Sequence, residues 1–306
     1  MKTLGPVPAG ETTQADADQY FGRAKPRTPV QELIHLFFRN PLGIVGLIII
    51  TGIVLLAVVA PWIAEYPKGF GDYADITVPP SRAHLFGTDD LGLDIFGQVI
   101  WGTRISLVVG FSAMVLSACI GIPLGLMAGF FKGNVDAFII GLIDLFLSLP
   151  VLPLIILAVA ILGPGIQNIA LILGLISWPQ LAKITRSQSL SVSEQPYIEA
   201  ARAVGAVNWS IVTRHVLPNC LPPIMVNMAL TVARAVLSEA GLSFLGLGDP
   251  MHWSWGRILQ HAYLSGSFIR AWWTTLFPSL AIFLFVLSMN FIGLALNEAA
   301  NPRLRR

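Results

Sequence analysis

Five stretches of this 306-residue chain are apolar and almost free of charge. Pro41 to Ala64 and Ile105 to Phe131 hold no charged residue, and Ala137 to Ala182 holds only Asp144. Val216 to Leu247 is interrupted by Arg234 and Glu239, and Ala271 to Asn297 completes the set. A helix needs about 20 apolar residues to cross a bilayer, so each stretch is long enough to span one. With 55% apolar and 12% charged residues, a water-soluble fold of this size could not hide its apolar surface. Lipid is therefore the solvent for most of the chain. Collagen, disorder and a disulfide-rich scaffold are excluded by the same composition. The net charge of +2 is too small to argue for nucleic acid, and no nucleic-acid partner is expected. Cys119 and Cys220 both lie in apolar runs and are expected to be small buried hydrophobes. A polar stretch of some 40 residues precedes the first run, so no cleavable leader is expected.

The long third run contains Gly163-Pro164-Gly165, strong turn punctuation, and divides there into two crossings. Six membrane helices result: 41–64, 105–131, about 137–162, about 166–182, 216–247 and 271–297. Placing the N-terminus in the cytoplasm puts thirteen of the 19 Lys and Arg residues inside, among them Lys132, Lys183, Arg186 and Arg202. Five fall outside, and Arg234 lies within a span. This bias predicts a multi-pass protein with both termini cytoplasmic. The organisation is a tail at 1–40, the first helix at 41–64, an outer loop at 65–104, a core at 105–297 and a tail at 298–306.

Asp144, Arg234 and Glu239 are costly in hydrocarbon and need partners or water. Arg234 and Glu239 could pair loosely, or Arg234 could reach Asp144 from another helix. The three are candidates either for a polar translocation path or for a bundle-locking ion pair. In the outer loop, Thr88 and Asp89 are cap candidates. Leu91, Ile95, Val99 and Ile100 have helical spacing, which predicts an interfacial helix. Asp89, Asp90 and Asp94 on it are candidates for an outer docking surface or gate. Their spacing does not match a calcium loop, and no metal site is expected. Trp253, Trp255, Trp272 and Trp273 read as an interfacial aromatic belt, and His252 and His261 as solvated surface groups. Gly121, Gly125 and Gly129 recur every four residues, which suits close helix packing.

The inner loop at 183–215 carries the most specific pattern. Pro196 fits a first helical turn, Glu199-Ala200-Ala201-Arg202 favours helix, and Gly205 ends it. Ser193 can cap this helix and Asn208 a second one, which Pro218 is expected to stop. By itself this could be an ordinary loop helix lying on the membrane. The spacing is more specific: Glu199-Ala200-Ala201, three residues, Gly205, then Leu217-Pro218 resembles the EAA loop (here 193–218) of ATP-binding-cassette (ABC) importer permeases. His215 stands where that family usually has Ile. Further stretches resemble permeases of the dipeptide/oligopeptide type, C-subunit kind. They are Phe86-Gly87-Thr88-Asp89-Asp90-Leu91-Gly92, Arg104-Ile105-Ser106-Leu107, Leu242 to Gly248 with Trp255-Gly256, and Asn301-Pro302-Arg303-Leu304. Leu93 stands where the family usually has Arg.

The resemblance implies an all-α membrane fold, a peripheral first helix plus a five-helix type I importer core, in a prokaryotic inner membrane. It implies a transport subunit with no catalytic residues, paired with a second homologous permease. Two ABC ATPase subunits would bind ATP and magnesium, and an extracytoplasmic binding protein would deliver substrate. In agreement, the chain has no Gly-Lys dipeptide and hence no phosphate-binding P-loop, and no cofactor is expected on it. The implied coupling residues are Glu199, Ala200, Ala201, Gly205, Leu217 and Pro218. The implied cargo is a di- or oligopeptide, with oligosaccharides, nickel complexes and glutathione-like compounds as alternatives. An ATP-independent secondary transporter is the rival from another class. A membrane enzyme is a distant third, since the sequence shows no nucleophile–base or metal-ligand cluster.

Overall fold

The structure, a computed structural model, describes residues 29–300. Seven of the thirteen basic residues expected inside, Lys2, Arg23, Lys25, Arg27, Arg303, Arg305 and Arg306, and the Asn301–Leu304 ending lie outside the described residues. The described chain is built from twelve helices, with no β-strand among the described residues. A short helix α1 (Pro29–Phe37) precedes α2 (Pro41–Ile63), the first long apolar helix. Asn40 caps α2, its Oδ1 accepting from the amides of Leu42 at 2.9 Å and Gly43 at 3.3 Å. Its Nδ2 donates to Glu298 at the far end of the chain. This helix lies at the edge of the bundle, packed on the last helix and on α3.

Helix α3 (Ile95–Phe131) starts ten residues earlier than the expected second span. The predicted interfacial helix is the first turns of this same helix, and its cap is Asp94 rather than Thr88 or Asp89. Asp94 Oδ1 accepts from Phe96 N at 2.7 Å. Gly87 and Gly92 both have left-handed φ, which breaks any helix before Asp94.

The expected third span is two helices. Helix α4 (Gly133–Ser148) and α5 (Val151–Leu162) meet at 87° across Leu149-Pro150. Proline disfavours helical geometry in the residue before it, and Leu149 is extended. Helix α6 (Ile166–Ser193) then runs through the first third of the expected inner loop, because Lys183 to Ser193 contains no glycine or proline. Among the described residues four helices are long and apolar enough to cross a membrane, or five if the bent pair is one span. Six are not reached, since the second half of α6 is polar.

Beyond α6 come α7 (Pro196–Ala203), α8 (Asn208–Ile211) and α9 (Leu217–Phe244). Pro218 does not stop α8. A π turn, Val212–Val216, joins α8 to α9, with Leu217 N bonding back to the Val212 carbonyl. The wider turn gives the proline ring room that a regular α-turn would deny it. Outside the last long helix lie α10 (Trp255–Leu264) and α11 (Ser267–Arg270). Helix α12 (Trp273–Ala300) completes the bundle.

The most extensive helix pair is α3 with α6. The glycine repeat explains it. A Cβ on Gly121, Gly125 or Gly129 would sit 2.8, 2.5 and 2.5 Å from the carbonyl oxygens of Trp178, Ala182 and Arg186. The two backbones are thus in contact, as small residues permit between helices in lipid. Three polar pairs run down the adjoining α4–α6 side: Lys132 with Glu194 at 3.1 Å, Asp136 with Arg186, and Asp144 with Lys183 at 3.0 Å. Cys220 is buried as expected, whereas Cys119 is exposed on the outward face of α3.

Candidate functional site

At the end of the bundle that holds the 193–218 segment, expected to face the cytoplasm, α7 is anchored by one side chain. Ile198 is fully buried among Leu126, Phe130, Leu181, Ile211, Val216 and Ile224, drawn from α3, α6 and the α8–α9 segment. Pro196 occupies the first turn, as the sequence indicates, but Gln195 is the cap residue and makes no side-chain bond. Ser193 is instead the buried last residue of α6, and Asn208 is already helical. The C-terminal end closes as a Schellman turn. Gly205 N bonds to the Arg202 carbonyl at 3.0 Å and Ala206 N to the Ala201 carbonyl at 3.1 Å. The turn requires left-handed backbone at Gly205, where φ is 81°.

The remaining surface of α7 faces outward. Glu199 and Ala200 are exposed, and among the described residues Glu199 has no ion-pair partner. Exposed apolar side chains follow α7 in the chain: Val204 at 84%, Val207 at 71% and Trp209 at 68% of their full exposure. Arg202 folds back over the Phe130 ring, 5.0 Å from its centroid, beside an open cleft of about 370 Å³. Leu217 and Pro218 are half-buried where the segment enters α9. His215, the departure from the family pattern, is exposed, so the substitution removes no core contact.

The end that holds the 65–94 loop, expected to face outward, is arranged in the opposite sense. Asp89 is 2% exposed and cannot be a docking group. Its Oδ1 accepts from the amides of Leu91 and Leu93, each at 2.9 Å, and its Oδ2 from the Gln98 side chain. Burial raises its pKa above the ordinary carboxylate value, against the lowering effect of those bonds. Asp94 is spent on the α3 cap and on His84 Nδ1 at 3.1 Å. Asp90 lies 3.3 Å from His261 Nδ1, so His261 is not a solvated surface group. His252 contacts Asp249 at 3.2 Å but stays exposed, as expected.

The tryptophans belong to this cap and not to a belt. Trp253, Trp255 and Trp273 are buried, and only Trp272 of the four is exposed. Trp253 donates to the Pro67 carbonyl at 3.0 Å, Trp255 to Val99 at 3.1 Å and Trp273 to Thr88 at 2.9 Å. Trp101, which the sequence reading passed over, donates to Ala64 at 3.0 Å. An indole carries one donor, and when buried it seeks an acceptor. For Trp101, Trp253 and Trp273 the irregular backbone at 64–94 offers carbonyls that helices do not, while Trp255 reaches a carbonyl in the first turns of α3.

The three ionisable residues of the spans do not meet. Five positions apart on a helix, Arg234 and Glu239 point about 140° apart. Glu239, buried, accepts from Ser106 Oγ at 3.3 Å and Ser243 Oγ at 2.6 Å, stitching α9 to α3. Asp144 is held by Lys183. Arg234 bonds only neutral groups, Gln180 Oε1 at 2.7 Å and Thr231 Oγ1 at 3.2 Å. The expected ion pair among the three is therefore absent. Among the described residues no cluster of three or more His, Cys, Asp or Glu could hold a metal.

Comparison with known proteins agrees with this geometry. Residues 121–306 match the family described as "Binding-protein-dependent transport system inner membrane component". Residues 28–80 match the "N-terminal TM domain of oligopeptide transport permease C". The dipeptide transport system permease protein DppC of Alkalihalophilus pseudofirmus is 40% identical over 281 residues, 91% of each chain. The di/tripeptide permease DppC of Pseudomonas aeruginosa is 37% identical over 289 residues, covering 91% of this chain and 93% of that one. The glutathione permease GsiD of Pectobacterium atrosepticum is 35% identical over 281 residues, with the same coverages. An inward-facing structure of the MetNI methionine ABC transporter shares the fold, with a TM-score of 0.53 at 21% identity over 68% of this chain and 96% of that one. The chain thus belongs to the family of binding-protein-dependent transport system inner membrane components and is a membrane permease subunit, not an enzyme.

Proposed function

We propose that this chain forms half of the membrane path of an ATP-driven importer of di- or oligopeptides. It would sit in the inner membrane with both termini cytoplasmic, beside a second homologous permease. Two ABC ATPases would bind ATP and magnesium beneath it, and an extracytoplasmic binding protein would deliver cargo from outside. The relatives named for dipeptides, di/tripeptides and glutathione, itself a peptide, support this cargo over oligosaccharides or nickel complexes.

The observation that carries the coupling role is the presentation of α7. One buried isoleucine and a Schellman turn fix a short helix rigidly to the bundle. Its acidic residue and the apolar side chains of Val204, Val207 and Trp209 just beyond it are left exposed, without partners among the described residues. Exposed apolar groups around an unpaired charge mark a surface for a protein partner. Glu199 would meet a basic group on the ATPase, while Ala200 and Ala201 allow close approach. Closure of the ATPases is a rigid-body motion, and α7 would transmit it through Gly205, Leu217 and Pro218 into α9.

Purification of the tagged chain from its native membrane in mild detergent tests this. A second permease and P-loop ATPases are expected to copurify. Glu199→Lys should release the ATPases while the second permease stays. Gly205→Leu, which strains a left-handed position, should weaken coupling in the same direction. A chain that purifies alone and moves solute without ATP would overturn the proposal in favour of a secondary transporter.

A further inference from the structure

Of Asp144, Arg234 and Glu239, Arg234 is the one that is both exposed and without an opposite charge among the described residues, since Asp144 pairs with Lys183 and Glu239 is buried on two serines. It lies on α9, ten residues before Phe244, about 15 Å from the outer end of the helix and so near mid-bilayer depth. Gln180, its partner across the gap, is at the midpoint of α6. Both side chains are exposed, on a face where α6 and α9 run side by side. No carboxylate of the described residues lies within 4.0 Å of the guanidinium. Asp144 of α4 is already taken by Lys183 of α6.

Arginine carries five N–H donors in a planar fork, and only two bonds are made here, both to neutral oxygens. Gln180 and Thr231 therefore hold the fork in place without neutralising it. An arginine at this depth must face a water-filled path or a counter-charge. Peptides of varied sequence share one negative group, the terminal carboxylate, and a guanidinium fork recognises a carboxylate by two parallel bonds.

We propose that Arg234, oriented by Gln180, receives the C-terminal carboxylate of the cargo at the middle of the translocation path. This assignment rests on the peptide-cargo reading above. It makes Arg234 a specificity-determining residue of the permease itself, separate from selection by the binding protein.

The test uses the whole complex reconstituted in vesicles, with an alanine tripeptide and its C-terminal amide as probes. Each is supplied at a concentration that saturates loading of the binding protein. The wild-type complex should move the free acid about tenfold faster than the amide, the worth of one charge-assisted pair. Arg234→Gln should bring that ratio close to one. Gln180→Glu, which supplies an internal carboxylate to the guanidinium, should do the same and carries the test if Arg234→Gln does not assemble. A ratio unchanged in the variants, or near one in the wild type, overturns the assignment. So does failure of Arg234→Gln to hold the second permease when Arg234→Lys still holds it, since the arginine would then answer a carboxylate of that partner. A wild-type complex that hydrolyses ATP but moves neither probe would instead remove the peptide-cargo reading.

Discussion

The two ends of this molecule treat their polar groups in opposite ways. At the outer end, Asp89 and Asp94 spend their oxygens on amides and side chains, and four buried or half-buried tryptophans each donate to a backbone carbonyl. At the inner end, Glu199 makes no pair and Val204, Val207 and Trp209 stand exposed. The difference separates groups that build the protein from groups held ready for another one. An acidic residue is evidence for a docking surface only where its hydrogen-bonding capacity is unspent. By that criterion Asp89 and Asp94 have spent their oxygens inside the fold, whereas Glu199 keeps its capacity free among the described residues.

Substitutions at the two ends should consequently fail in different assays. The largest effect is expected at Glu199→Lys, which places a like charge against the basic group proposed on the ATPase. ATPase binding should weaken by about 3–5 kcal/mol, as when one member of a buried pair is lost, with no change in the thermal stability of the isolated chain. A drop in thermal stability of equal size would erase the contrast between the ends.

Next comes Asp89→Ala, which strands two amides and the Gln98 side chain and should cost about 2–3 kcal/mol of stability, read from thermal unfolding in detergent. Asp89→Asn keeps one acceptor oxygen and should cost less. Burial sets the folded pKa of Asp89 above its unfolded value, so its contribution to stability is present in acid and is lost as pH rises through the folded pKa. The non-titrating Asn variant should lack that slope, which makes the difference between Asn and wild type grow in favour of Asn toward neutral pH.

A smaller effect belongs to Trp209→Ser. It removes exposed apolar surface at the proposed interface and should weaken ATPase capture by about 1–2 kcal/mol while leaving unfolding unchanged. The smallest is Asp94→Ala, which removes the α3 cap and should lower stability by about 1 kcal/mol without altering the ATP dependence of uptake. If the cap is a docking surface after all, Asp94→Ala would instead weaken binding-protein capture at unchanged stability.

Much of this was legible in the chain itself. The apolar runs located the long helices, the glycine repeat of α3 located its tightest neighbour contact, and Glu199 to Gly205 marked the α7 helix and its glycine stop. What was not legible depended on partners distant in sequence. Asp89 looks like any loop aspartate until Leu91, Leu93 and Gln98 fold around it. The tryptophans have belt-like spacing, but their acceptors lie at residues 64–99, far away along the chain. Pro218 is a stop by local rules, and only the π turn before it lets the helix continue. Leu149-Pro150 could have signalled the 87° break, since the residue before a proline resists helical geometry. The charges of Asp144, Arg234 and Glu239 were visible, but which helix each one faces depends on rotation about the helix axis across the bundle.

In the proposed importer, movement of solute through this chain is driven by ATPases acting on α7. Uptake of a labelled dipeptide into cells depleted of ATP, with the proton gradient kept intact, addresses it directly. Uptake should stop on depletion and return when ATP is restored. Uptake that continues on the gradient alone would contradict it.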